Sequence, residues 1–192
     1  EQGRPARILE LSDEEKEIIK DSFLLTMKPI LYVTNVSENE ISEDNEYVKC
    51  VKEYATKEKA PVVVLCAKVE EELSELSDSD KEELLSALGI GISGLDKLIK
   101  ATYDLLGLAT YFTVGKDEVR AWTFKKGMNA KKCAGIIHTD FEKGFIKAEV
   151  MSYDDLIKYG SELKVKEAGR ARLEGKDYIM QDGDICYFRF NK

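Results

Sequence analysis

Four residues near the start of the chain have the types and spacing to read a purine base. Asn35-Val36-Ser37-Glu38 follow directly on the apolar run Ile30–Thr34. An asparagine amide can donate to the purine N7 acceptor, an apolar neighbour can cover a ring face, and a carboxylate three residues on can accept from a base edge. The same residues can equally close a strand in a polar turn braced by Asn35. A second strand-end segment, Cys66-Ala67-Lys68, follows the run PVVVL and supplies another element in the order a base site needs. On residues alone both readings stay open.

Other chemistry-bearing residues lie further on. Lys125, Lys126, Lys131 and Lys132 bracket a short expected helix, and Arg170 and Arg172 follow another. A solvated face is the plain reading of these cations, and a phosphate-binding patch the sharper one. His138 is the one imidazole, with Asp140 and Glu142 nearby. It suits a hydrogen-bonding turn, or stacking on an RNA base. Cys50, Cys66, Cys133 and Cys186 form no C-x-x-C pair, so no metal site is expected and buried reduced thiols are.

GIGISG (89–94) matches G-x-G-x-x-G letter for letter. A dinucleotide fingerprint must follow a strand, but EELLSALG before it is helical. A phosphate loop needs Lys followed by Ser or Thr after its last glycine, and Leu95-Asp96 stand there. The segment reads as a glycine-rich link with Ser93 near the next helix start, and the 192 residues contain no Walker A loop.

The elements that must position these residues are legible in outline. Ser12 and Glu15 form an S-x-x-E capping box, and Ser79 with Glu82 predicts a second. Helices are expected over 46–56, 94–106, 129–135 and 153–160. Ile30–Thr34 and Pro61–Ala67 read as strands apolar on both faces, as in a parallel sheet covered by helices. Strands are expected at 118–124, 143–151, Asp177–Met180 and 184–190, the last entered through Asp182-Gly183. Short strands mixed with short helices predict an α+β domain after the α/β one.

Charge divides the chain at the same place. Residues 1–107 carry 24 acidic and 13 basic side chains, net −11, and residues 108–192 carry 13 and 16, net +3, within a total of −8. No apolar run approaches the ~20 residues of a membrane span, and the start of the sequence has no apolar signal region. A cytoplasmic protein with no membrane partner is expected.

Four segments carry a resemblance that runs through essentially the whole chain: KPILYVTNVSE (28–38), EVRAWTFKKG (118–127), AGIIHTDFEKGFIKAEV (134–150) and KEAGRARLEGKDYIMQDGDICYFRFN (166–191). Together they resemble the YchF subfamily of Obg-like ATPases, with HTDFEKGF (138–145) similar to the signature of that family's TGS domain. The resemblance implies α/β plus α+β architecture. Residues 1–27 would end a helical hairpin, 28–107 would be the last part of a P-loop-type nucleotide domain, and 108–192 a β-grasp TGS domain. It implies a C-terminal piece of an ATPase preferring ATP to GTP, with Asn35, Val36, Glu38, Cys66 and Ala67 beside adenine. ATP with magnesium would belong to the intact parent, and the isolated chain would lack cofactor and hydrolysis. The implied partner is the ribosome or ribosomal RNA, met through Lys125, Lys126, Lys131, Lys132, His138, Arg170 and Arg172. A non-catalytic RNA- or protein-binding module is the alternative. Sheet edges left open in a partial nucleotide domain predict a homo-oligomer, an exchanged arrangement, or disorder in residues 1–107.

Overall fold

The computed structural model describes residues 4–115 and 118–191. The chain divides into two compact units, one ending at Leu106 and the other starting at Gly107.

The first unit opens with helix α1 (Asp13–Lys20), whose expected capping box is formed in both directions: Ser12 N–H donates to Glu15 Oε2 at 2.8 Å, and Glu15 N–H donates to Ser12 Oγ at 3.2 Å. Strand β1 (Tyr32–Asn35) runs parallel to β2 (Val62–Leu65), with Tyr32 opposite Val62 and Asn35 opposite Leu65. Helix α2 (Glu46–Lys57) connects them, N-capped by Asn45, whose Oδ1 accepts from Val48 N–H. The coverage expected on both faces is only partial: Val63 is buried, but Val33 remains 46% exposed.

Helices α3 (Ala67–Glu75), α4 (Asp78–Ala87) and α5 (Gly94–Leu105) follow. Cys66, Val69 and Leu73 bury together against Ile41, Leu84, Leu85 and Leu88. The cap of α4 is Ser77, accepting from Asp80 N–H, rather than the expected Ser79, because SDSDKEE offers two overlapping capping signals. Arg7 joins the early segment to this unit: its guanidinium lies 2.8 Å from Glu58, which also accepts from the hydroxyls of Tyr32 and Tyr54, each at 2.9 Å.

The second unit is a five-stranded sheet in the order β4-β3-β7-β5-β6. Its strands are β3 (Leu108–Val114), β4 (Val119–Lys125), β5 (Phe145–Ser152), β6 (Arg172–Glu174) and β7 (Asp184–Phe190). The neighbours β3 and β7 are parallel, and every other pairing is antiparallel. Alternation along the strands supplies two apolar faces. On one, Tyr111, Phe124, Val150, Cys186 and Phe188 pack against Ala130, Cys133 and Ala134 of α6 (Ala130–Ile137). On the other, Met151 and Ile185 pack with Leu156 of α8 (Tyr153–Tyr159) and Val165 of α9 (Glu162–Glu167).

Tyr111 centres the first face, with ring centroids 5.8 Å from both Phe124 and Phe188 and its hydroxyl donating to Cys133 O at 2.8 Å. Burial pushes the Cys133 thiol up to about 12, so it stays protonated and inert. HTDFEKGF holds a helical turn, α7 (Thr139–Lys143), ending at Gly144. A Cβ at Gly144 would stand 1.9 Å from the Asn191 carbonyl oxygen, so only glycine permits this approach. The strand expected over Asp177–Met180 is a single bridge, Ile179 to Asn129.

Candidate functional site

The parallel register of β1 and β2 ends both strands at one level, bringing the two candidate base segments together. Asn35 Oδ1 accepts from Ala67 N–H at 2.9 Å, and Val36 N–H donates to Leu65 O at 2.9 Å. Asn35 and Ala67 are exposed, and Val36 is half-buried. Cys66 is buried with Val69 and Leu73, so its thiol faces the core and only its backbone can serve a ligand.

Ser37 and Glu40 form a further capping box on a short 3-10 turn, Glu38–Glu40. Glu40 also accepts from Asn45 Nδ2 at 3.1 Å. The Ser37 hydroxyl first, and Asn45 second, hold the Glu40 carboxyl below the usual carboxylate range. S-x-x-E at Ser37–Glu40 is the same pattern that marks α1, so this brace was readable. The hook is therefore a braced turn, and Asn35 lines a cavity of about 350 Å³ together with Thr34, Val36, Tyr47 and Val51, while Glu38, Cys66 and Ala67 are not among its lining residues. Glu38 Oε2 lies 3.5 Å from Lys68 Nζ. Lys68 is also 3.6 Å from Glu72, and these carboxylates, Glu72 foremost, raise its pKa.

The glycine-rich link has its own explanation. Glu70 accepts from Gly94 N–H at 2.7 Å and Leu95 N–H at 3.1 Å, so the start of α5 is satisfied by a carboxylate of the chain itself. A Cβ on Gly94 would lie 2.4 Å from Leu65 Cβ, so this glycine lets α5 approach β2. No sequence spacing between Glu70 and Gly94 signals the pairing. Among the described residues, no group of three or more His, Cys, Asp or Glu side chains is placed to hold a metal ion, and no helix is long and apolar enough to cross a membrane.

In the second unit Lys125, Lys131 and Lys132 differ from Arg170 and Arg172. Lys125 ends β4, and Lys131 and Lys132 occupy the first turn of α6, capped by Asn129. None of these three makes an ion pair among the described residues, and Lys126 N–H donates to Gly107 O. Arg170 pairs with Asp155 at 3.3 Å, and Arg172 with Glu174 at 3.1 Å. Arg172 lies on β6 and Lys125 on β4, at opposite edges of the sheet, so the six do not form one patch. His138 is exposed and caps α7, its Nδ1 accepting from Asp140 N–H at 3.2 Å. Trp122 is half-buried, stacked at 6.5 Å on Tyr111, with Arg120 4.1 Å above its ring.

Residues 108–191 match the family model YchF-GTPase_C, whose description reads "Protein of unknown function (DUF933)". The chain is 57% identical over 193 residues to the ribosome-binding ATPase YchF of Bacillus subtilis (strain 168), spanning 100% of this chain and 53% of that protein. It is 45% identical over 195 residues to Obg-like ATPase 1 of Rattus norvegicus, spanning 100% of this chain and 49% of that one. The structure of the Schizosaccharomyces pombe YchF GTPase matches with a TM-score of 0.83 at 37% identity, over 97% of this chain and 50% of that chain. The chain thus spans about half the length of the curated relatives it matches.

Proposed function

The chain belongs to the YchF (Obg-like ATPase) family, and from that premise we propose that it is the base-reading and partner-binding part of a ribosome-associated ATPase. In this reading β1 and β2 are strands of a P-loop-type sheet continued by residues outside the chain. Asn35, Val36, Glu38, Cys66 and Ala67 border an adenine, Cys66 through its backbone.

The observation that carries the reading is the Asn35 Oδ1 bond to Ala67 N–H, which draws together strand ends 32 residues apart in sequence. It orients the Asn35 amide so that Nδ2 can serve purine N7. Positioning and charge neutralisation of the phosphates supply most of the catalysis in phosphoryl transfer. Those groups and the magnesium ligands would come from outside this chain, and the isolated chain hydrolyses no ATP. In the full-length protein, Asn35→Ala weakens ATP binding about tenfold in equilibrium titration, the scale of one lost specific base contact. Unchanged affinity would move the base elsewhere.

The second unit supports the partner half of the proposal. Parallel β3 and β7 at the centre of an otherwise antiparallel sheet, with α6 across one face, suit a TGS-type β-grasp module. Lys131 and Lys132 add their charge to the positive end of the α6 dipole, which favours phosphate. Lys125, Lys126 and His138 lie near in sequence, and Arg170 and Arg172 are each held in an ion pair, with Asp155 and Glu174. Contact with ribosomal RNA on this face would weaken steeply with salt. Replacing Lys125, Lys126, Lys131 and Lys132 by Glu lowers ribosome co-pelleting and flattens its salt dependence. Undiminished binding of that variant would place the contact on another surface.

A further inference from the structure

We propose that β7 takes an added strand: an extended peptide of a partner protein, alternating apolar and acidic side chains, pairs with residues 187–190 in a notch that the sheet leaves beyond the end of β3.

The notch follows from two pairings of unequal length. β5 accompanies β7 as far as Phe190, but β3 pairs with it only from Asp184 to Cys186. β3 then ends at Val114, and Gly115 N–H donates to Glu118 O at 2.8 Å in the hairpin to β4. Among the described residues, no strand continues the line of β3 beside residues 187–190. The backbone of β7 faces that gap. Tyr153 N–H donates to Gly183 O at one end of the strand, and Asn191 N–H to Gly144 O at the other. The odd-numbered residues of β7 therefore bond to β5, and the even-numbered ones turn their amides and carbonyls the other way. Asp184 and Cys186 face β3 there, whereas Phe188 and Phe190 meet no strand among the described residues. Open backbone donors and acceptors of this kind are what an extended peptide adds to.

The hollows on either side of the notch specify the peptide, because side chains of an added strand alternate between the two faces of the sheet. On the α6 face, a cavity of about 460 Å³ runs from Val114 to the edge of β7 and is walled by Trp122, Phe141, Phe188 and Phe190. Phe141 and Phe190 stack with centroids 3.8 Å apart. This hollow suits an aromatic or branched apolar side chain. On the α9 face the cavity is about 790 Å³ and holds Glu149, Lys166 and Arg189. The Glu149 side chain is only 16% accessible and both its oxygens are engaged, Oε1 by Lys166 and Oε2 by Arg189 Nη2 at 3.5 Å. Glu162, which lines the same cavity, stands one helical turn before Lys166 on α9 and within its electrostatic reach. The positive charge left over is that of Arg189, whose side chain is 51% accessible. A guanidinium has five N–H donors in a fork that fits a carboxylate, and one distant contact leaves most of them for a ligand. The net charge of +3 on residues 108–192 favours an acidic partner in the same direction.

A fluorescently labelled peptide, Ser-Glu-Phe-Glu-Val-Glu-Ser, titrated into the full-length protein and followed by anisotropy, tests this. It saturates with a Kd below about 1 mM. Exchanging its Phe for Ala, or its Glu residues for Lys, weakens binding about tenfold, the scale of one lost anchor or charge-assisted contact. Methylation of backbone nitrogens isolates the strand pairing. One peptide carries N-methyl groups on Phe and Val, another on the three Glu residues, and only one of these two sets of amides faces β7. One methylated peptide therefore loses saturable binding, and the other stays within about threefold of the parent. Arg189→Gln, which leaves Lys166 on Glu149, makes the Glu and Lys peptides bind alike. No saturation by the parent peptide up to about 1 mM overturns the proposal. Equal binding of the two methylated peptides overturns strand addition, and a preference for Glu that survives Arg189→Gln overturns the acidic assignment. Concentration-dependent self-association of the protein that the peptide blocks would make the occupant a second copy, and would overturn the assignment to a partner protein.

Discussion

Val63 and Tyr111 occupy comparable places, each on the inward side of a strand, and their surroundings could hardly differ more. Among the described residues, Val63 is one of seven buried apolar side chains in the unit ending at Leu106, and Tyr111 is one of fourteen in the shorter unit after it. Two parallel strands cannot wrap a core, and Ile18, Phe23 and Leu25 remain more than three-quarters exposed. Beside its small apolar cluster around Cys66, Val69 and Leu73, the first unit is joined at polar points: Arg7 with Glu58, Asn35 with Ala67, Glu70 with the start of α5. The five-stranded unit encloses Tyr111 among aromatic rings and a helix. One region depends on charge and geometry, the other on volume, so they should fail under different insults.

The largest expected effect tests the volume side. Tyr111→Ala removes a fully buried ring and strands the Cys133 carbonyl, costing about 3–5 kcal/mol. Trp122 is the one tryptophan and lies in this unit, so its fluorescence during denaturant unfolding reports the loss. Equal loss of amide protection in α2 and α3 would break the contrast between the units.

A smaller effect tests close approach in the first unit. Gly94→Ala places a methyl against Leu65 and Glu70, and pushing α5 away costs about 1–3 kcal/mol. Hydrogen exchange should quicken in α5 and β2 while the Trp122 transition stays where it was. Unaltered exchange in α5 would mean that the helix start gives way freely.

The smallest effect is one of pH. The Arg7 hydrogen bond, ahead of those from Tyr32 and Tyr54, holds the Glu58 carboxyl below its ordinary value of 4.5. A depressed carboxylate contributes fully above the unfolded value, and that contribution is lost as pH falls through the lower folded value. Protection in β1 and α2 should decline across that acid window, and Glu58→Gln should lower protection at neutral pH and flatten the decline. In the second unit the signs oppose one another: burial raises the Asp184 carboxyl, while hydrogen bonds from Lys166 and Ser152 lower Glu149 and Asp155. A steeper acid loss there than in the first unit would contradict the comparison.

The same contrast explains what the sequence discloses. α1 is legible because its capping box is local, and α5 because apolar spacing and Ser93 mark it. α7 escapes because it spans five residues and is capped by an imidazole, an unusual cap. The Asp177–Met180 run has strand-like residues but meets only the segment before α6, so alternation misleads. At the candidate base site the residue types are visible, but the bond from Ala67 to Asn35 and the Glu38–Lys68 pair exist only once β1 and β2 are in register. Periodicity names the strands and does not name their partners.

The central strands of the second unit carry a consequence in time. β3 is the first strand of its sheet to be synthesised and β7 the last, yet Tyr111 pairs with Asp184 and Thr113 with Cys186. Pairing of such sequence-distant strands closes slowly, since the intervening loop must be drawn in first. On a translating ribosome this sheet stays open until Asp184–Phe190 have left the exit tunnel, with β3 able to hold only its hairpin partner β4. Any pause before that point leaves the nascent chain with an unfilled slot between β3 and β5, the place where a misplaced strand does most harm.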